Sequence, residues 1–390
     1  MASGMEEITG QIDKINFKTL VTREGVPFAA DLWGVGSFLR DDRYFKEVLW
    51  GRLGGALKKN YGVIGFAVNY DMDNVANCAK DIIDQAGRDP KALLELALKG
   101  KKLGSDLEEF TFKIKHTDFS GTTDKKLISL FGQFLEKFSV FSPYFIVPLS
   151  VERHLQETIR EGLKDLVDPS DDINSVLIEL TSPPEHDAMY NERLDLLKIA
   201  EKYGSGKDVS EDIEKHIDEF GNVCIRWCMG EPWTHDELME KVEGIKDAKK
   251  QISRLAAEDR RVAADFKRFE KEHPDRKELI EFIKVAKWYV WLRTYRTQVL
   301  SGSIANIYPL LSEIGRRRGL SLREILCYVP EEILSGKILS RGEIKKRKEA
   351  FADLLLFGKR YIFSGKDAKF LIDYWQKKHP VASEIKGTVA

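Results

Sequence analysis

A chain of 390 residues with 43% hydrophobic and 32% charged residues has room for two domains and for a large apolar core, which excludes disorder over most of its length. Its 62 basic and 63 acidic residues leave a net charge of -1, so no whole-chain field draws nucleic acid or anionic lipid to it. Cys78, Cys224, Cys228 and Cys327 form neither a CxxC pair nor a disulfide framework, and free thiols fit a reducing compartment. The N-terminus lacks a basic-then-apolar signal pattern, and Met1 to Gly4 reads as a short leader ahead of a natural start at Met5. The most apolar stretch, Phe138 to Leu149, is too short to span a bilayer and contains Pro143 and Pro148, so it reads as core. The expectation is a cytoplasmic protein without membrane contact.

In chain order, Gly62 to Tyr70 is rich in β-branched and aromatic residues and predicts a strand. Residues 74–98 predict one or two helices interrupted at Gly87 and Pro90. Glu109 to Lys115 alternates, with Phe110, Phe112 and Ile114 on one face, and predicts a second strand. Leu127, Leu130, Phe131, Phe134, Leu135 and Phe138 recur at helical spacing over 125–141, and 151–167 continues in the same way. A stretch punctuated by Pro169, Pro183 and Pro184 follows, then short helices at 190–203 and 208–220. Thr234 and Glu237 form a capping box that opens a long helix ending before Pro274, with a break expected near Glu258 to Arg261. A second long helix is expected from Asp275 to about Ser301, paired antiparallel with the first across the Pro274 turn. Further capping boxes at Ser321/Glu324 and Ser340/Glu343 open two short helices. The fold class is mainly α, with a small α+β portion near the N-terminus and long antiparallel helices in the C-terminal half.

Self-contained catalytic signatures are absent: there is no Walker A sequence, GxGxxG, HExxH or GxSxG. Gly51 to Lys59 is glycine-rich and basic but lacks phosphate-loop spacing and reads as a turn into a helix. His216, Cys224, Cys228 and His235 share a short window whose spacing matches no zinc pattern, so neither metal nor cofactor is expected. The basic runs Arg316 to Arg318 and Lys345 to Lys348 sit on predicted helices, where consecutive side chains diverge. They lack the aromatic interleaving of single-strand binders, so nucleic acid is not an expected partner.

Several phrases in order resemble the central region of phosphoenolpyruvate-utilising enzymes, the group of pyruvate phosphate dikinase, phosphoenolpyruvate synthase and rifampin phosphotransferase. They are Leu180-Thr-Ser-Pro183, Leu196 to Ala200, His216 to Gly221, Glu231 to Thr234, Trp291 to Arg296, Pro309 to Arg317, Tyr328 to Ile333 and Arg341 to Lys348. The resemblance covers residues 180 to 390 well and the first half weakly. Glu384 to Ala390 resembles the opening strand of the family's swivelling phosphohistidine domain. The resemblance implies three regions: a mixed α/β region over 5–168, a helical domain over 169–380, and the start of the swivelling domain over 381–390. It further implies an ATP-grasp domain and a swivelling domain as partners, in cis or in trans. Neither the carrier histidine motif nor an ATP-grasp segment is evident, so the chain is expected not to catalyse phosphoryl transfer alone.

Two functions follow as expectations. One is the acceptor-binding or docking region of a phosphohistidine phosphotransferase, holding a small-molecule or anionic acceptor; the other is a non-catalytic helical interaction module. Nucleic-acid binding is a third and weaker reading. Successive helical residues turn by about 100°, so Trp288, Trp291, Leu292, Tyr295 and Val299 share a buried face, flanked by Tyr289, Arg293, Arg296 and Leu300. Arg293 and Arg296, one turn apart, have the geometry to grip a phosphate or carboxylate, with Tyr289 beside them. At this phrase the family's Lys and Asp are replaced by Arg293 and Thr294. The alternative is that both arginines pair with carboxylates. Trp227 and Trp233 are expected to meet around Gly230 and Pro232, as one wall of a ligand site or simply as core.

Overall fold

The computed structural model describes residues 2–22, 25–34, 60–65, 67–168, 172–225 and 230–379. The glycine-rich run at 51–59, Trp227 and the stretch 381–390 lie outside the described residues.

The elements run α1 (Ala2–Ile12), β1 (Phe17–Thr22), α2 (Pro27–Trp33), β2 (Tyr61–Ile64), β3 (Ala67–Asp71), α3 (Met72–Ala86), α4 (Pro90–Lys115), α5 (Asp124–Phe141), a 3-10 turn (Ser142–Phe145) and α6 (Val147–Leu163). They continue with α7 (Ile173–Leu180), α8 (Ala188–Gly204), α9 (Ser210–Phe220), α10 (His235–Gly244), α11 (Ala248–Glu272), α12 (Lys277–Asn306) and α13 (Tyr308–Arg317). The chain closes with α14 (Leu322–Ile325), α15 (Pro330–Leu334), α16 (Arg341–Glu349), β4 (Phe351–Leu356), β5 (Lys359–Ser364) and α17 (Gly365–Lys378). The fold is mainly α, as its periodicity predicts.

The strand expected at 62–70 is a hairpin, β2–β3, and it lies in an antiparallel sheet of order β1-β3-β2-β4-β5. Two of its five strands, β4 and β5, come from residues 351–364. Tyr61 to Ile64 pairs with Leu355 to Ala352, and β4 and β5 are joined at Phe357-Gly358, both with positive φ, the geometry of a tight two-residue hairpin. One sheet face meets α1 and α17 through Phe17, Ile64, Leu354, Leu371 and Trp375. The other carries Tyr61, Val63, Val68 and Tyr70 into the main helical core. Every residue of β4 is buried, including Asp353. Arg360 on β5 reaches both Asp353 oxygens, Asp31 on α2 and Glu331 on α15, so one guanidinium ties the sheet to two helices. Burial opposes its charge, but the surrounding carboxylates hold its pKa above the ordinary arginine value.

Glu109 to Lys115 is not a strand but the last turns of α4. Local alternation loses to a longer signal: Asp89 caps the helix at Lys91 and Ala92, Pro90 occupies the first turn, and Lys102–Asp106 and Glu109–Lys113 are ion pairs one turn apart. Its buried face, Leu93, Leu96, Ala97, Gly100, Gly104, Leu107, Thr111 and Ile114, keeps helical spacing throughout. The break expected at 258–261 falls earlier, at Ile245 to Asp247, where Asp247 adopts a left-handed conformation between α10 and α11. Nor do the two long helices pair along their length. α12 packs on α4 and α6, whereas α11 packs mainly on α8 and α7, and the two meet only near the turn, through Lys284–Glu270 and Lys287 over Phe266. The reason lies in their surfaces. α11 buries only Ala248, while α12 buries residues on almost every side and must sit inside the bundle.

The stretch 124–163 is the one among the described residues long and apolar enough to cross a membrane; it folds as α5, the 3-10 turn and α6, and two-thirds of its most apolar window is buried inside the fold. α8 to α11 build a satellite core from Leu197, Val209, Ile213, Leu238 and Val242.

Two glycines let α4 pack closely on the 3-10 turn and on α12. A Cβ on Gly100 would lie 2.4 Å from the Tyr144 ring, and one on Gly104 2.6 Å from Tyr295. Gly100→Ala gains up to about 1 kcal/mol of helix propensity but meets a fully buried ring that cannot retreat, so a net loss of about 1–3 kcal/mol is expected in urea unfolding. Gly302→Ala, on α12 with open space around its Cβ, is the control and is expected to be neutral or stabilising. Equal effects at the two positions would refute the close-packing account.

Candidate functional site

A cleft of about 740 Å³ opens between α4, the start of α8, the end of α9 and α12. Three amide contacts hold its walls together. Gln298 on α12 accepts the Ala188 N–H at 3.0 Å, Asn222 after α9 donates to Asn306 at 3.0 Å, and Gln298 also approaches Glu108 at 3.4 Å. Asp187 caps α8 through the Tyr190 N–H, which fixes the chain at the cleft mouth. His186 stacks flat on Tyr190 with ring centroids 3.6 Å apart, and Asp259 on α11 receives the Tyr190 hydroxyl at 2.6 Å and lies 3.3 Å from His186 Nε2.

Inside the cleft, Glu108 accepts the Tyr295 hydroxyl at 2.8 Å. Burial raises its carboxyl above the ordinary range, and the hydrogen bonds from Tyr295 and Gln298 only partly offset this. Trp291 stacks on Tyr295 at 4.2 Å, and its indole N–H, although buried, has no hydrogen-bond partner among the described residues; the same holds for the Ser301 hydroxyl. Phe112 and Met189 line the cleft and remain about half exposed.

The residues singled out in the sequence scatter around this cleft. Arg293 lines it, but its guanidinium donates to Glu152 at 2.8 Å. Arg296, one turn on, leaves the cleft and is buried: Nε donates to the Arg293 carbonyl at 3.1 Å, the guanidinium lies 4.8 Å from the Phe145 ring centroid, and Nη1 has no partner. Desolvation pushes its pKa down to about 10. The two arginines therefore do not converge on one cavity. Tyr289 is fully buried and donates to the Leu93 carbonyl at 3.1 Å. Trp233 packs in the satellite core with Lys241 Nζ 3.8 Å from its ring centroid. Trp227 lies outside the described residues, so its expected contact with Trp233 does too.

The basic runs are largely occupied within the fold. Arg316 and Arg317 both pair with Glu313, Arg318 donates to the Ile333 carbonyl, and buried Arg347 holds Glu332 by two hydrogen bonds. Glu108, Gln298 and His186 carry no motif, which is why spacing alone did not single them out. The usable signal was the glutamate at 108, which continues the apolar face of a helix once 90–115 is read as one element.

No family model matches the chain, and neither a curated protein nor a solved structure matches it.

Beside the cleft, buried His216 on α9 places Nδ1 2.8 Å from Asp195 and Nε2 3.6 Å from Glu192, both on α8. Burial lowers its pKa, but the two carboxylates outweigh burial and raise it to about 9. A raised histidine pKa stabilises the fold fully below the unfolded value of 6.5 and loses that contribution as pH rises through about 9. Unfolding free energy is expected to fall over that window, and His216→Gln should flatten the fall; an unchanged slope in the variant would remove the ion-pair account. The Glu108 pKa is also raised, so it too loses stability as pH rises, here because its ionised form is the disfavoured one. Glu108→Gln, which keeps an acceptor for Tyr295, is therefore expected to leave stability at neutral pH unchanged or up to about 1 kcal/mol higher. A loss larger than that in chemical denaturation would show the charge to be structural.

Proposed function

We propose that this chain is the acceptor-binding region of a phosphohistidine phosphotransferase and that the cleft between α4, α8, α9 and α12 holds the acceptor. One observation carries the reading: a cleft of about 740 Å³ combines a half-buried carboxyl, a buried indole N–H without a partner among the described residues, and half-exposed apolar residues at its walls. The resemblance supports it, since two of its phrases, His216 to Gly221 and Trp291 to Arg296, supply Phe220, Trp291, Arg293, Thr294 and Tyr295 to the cleft. An ATP-grasp domain and a swivelling phosphohistidine domain, in cis or in trans, would supply the phosphoryl group in a cytoplasmic setting.

The acceptor would be a hydroxyl compound. As its oxygen bonds to phosphorus, the nitrogen–phosphorus bond of the carrier histidine breaks, and the hydroxyl proton passes to the freed imidazole. The chain alone supplies neither donor nor carrier, so its part is to orient the acceptor and exclude water.

The test supplies an ATP-grasp protein and a phosphohistidine domain in trans, with γ- and β-labelled ATP and a mixture of hydroxylated metabolites. A labelled small molecule that forms only when the chain is present is expected, reduced at least about tenfold in a Gln298→Ala, Trp291→Phe double variant. Product formation that is independent of the chain, or none at all, would overturn the reading.

A further inference from the structure

The charge of the cleft narrows its ligand. Glu108, Glu109, Asp187 and Glu219 line it, against the single guanidinium of Arg293, which Glu152 already holds. Glu109 is paired with Lys113 at 2.6 Å, whereas Glu108 meets a hydroxyl and an amide, and among the described residues no ion pair offsets its charge. An anionic ligand would meet this carboxylate without a free cation to receive it. The aromatic wall is of the kind that attracts ammonium groups: Lys101 Nζ already sits 5.5 Å from the Trp291 ring centroid, outside the cleft lining. A second and independent feature asks for an oxygen on the ligand. The Trp291 indole N–H, on a side chain only 4% exposed, has no acceptor among the described residues.

We propose that the cleft takes an amino alcohol: an organic ammonium compound whose charge faces Glu108 and Asp187 and whose hydroxyl oxygen accepts from the Trp291 indole. This rests on the cleft being the acceptor site and specifies the acceptor's class, since the hydroxyl would be the group that receives the phosphoryl.

The probe is choline, compared with 3,3-dimethyl-1-butanol, its neutral isostere of the same shape and hydroxyl. Both are titrated into the full chain labelled with ¹⁵N, and the indole N–H signal of Trp291, assigned from Trp291→Phe, is followed. Choline is expected to move this signal saturably, with the neutral isostere at least about tenfold weaker. Glu108→Gln, whose folding is checked by its unfolding midpoint, should weaken choline by a similar factor and leave the isostere unchanged. Equal binding of the two probes, no saturable shift with choline or with ethanolamine, or choline binding indifferent to Glu108→Gln would overturn the proposal. Choline binding of this kind without a labelled product in the phosphotransfer assay would leave the ligand class standing and remove the transfer reading instead.

Discussion

The rest of the molecule depends on how closely α4 and α12 approach. Gly104 removes the side chain that would hold the two helices apart, and the Tyr295 ring fills the space left; Gly100 does the same for the Tyr144 ring of the 3-10 turn. Three tyrosine hydroxyls then close on the backbone of α4: Tyr289 reaches the Leu93 carbonyl at 3.1 Å, Tyr144 the Leu96 carbonyl at 2.9 Å and Tyr295 the Lys101 carbonyl at 3.4 Å. Burying such rings is favourable only when each hydroxyl finds a partner, so the hydrogen bonds and the apolar packing require each other. Because those partners are spaced along two turns of one helix, they also fix the axial register of α4 against α12.

That register sets the cleft. Tyr295 bonds to α4 twice, at the Lys101 carbonyl and at the Glu108 carboxyl, so the residue that seats the helix also positions the half-buried acid. Gln298, one turn further along α12, extends the same row to α8. The cleft therefore inherits its geometry from the α4–α12 contact, while α8 and α9, built on a satellite core, form the opposite wall. A binding site between a rigid wall and a separately packed one suits a ligand that must be admitted and then held.

Much of the helical architecture was legible. Periodicity placed α5, α6, α8, α9 and α12, and capping boxes at Thr234 and Ser321 appear in the structure as drawn from the sequence. Two features were misread for identifiable reasons. The alternation of Phe110, Phe112 and Ile114 imitates a strand, yet Phe112 is half exposed and Ile114 buried, as helical spacing requires. The β4–β5 hairpin carries a weaker local signal: Phe357-Gly358 divides two apolar runs, but a run of basic residues directly precedes them. The arginine pair illustrates a different limit. Helical spacing shows that Arg293 and Arg296 lie near each other, but one turn of rotation sends the first to the cleft wall and the second into the core. Which carboxylate waits there is a matter of tertiary packing that no local pattern encodes.

The sheet joins strands from the two ends of the chain, and this bears on how the protein is made. During synthesis β2 and β3 can form their hairpin at once, but the outer edge of β2 lacks its partner until β4, at residues 351–356, leaves the ribosome. Over that interval Tyr61 to Ile64 presents free backbone donors and acceptors on a strand whose side chains are all destined for the interior. Such an edge is a template for pairing with another nascent chain. The helices between must assemble while it waits, so shielding of this edge, by a chaperone or by early helical packing, becomes a requirement of biogenesis that the finished fold no longer displays.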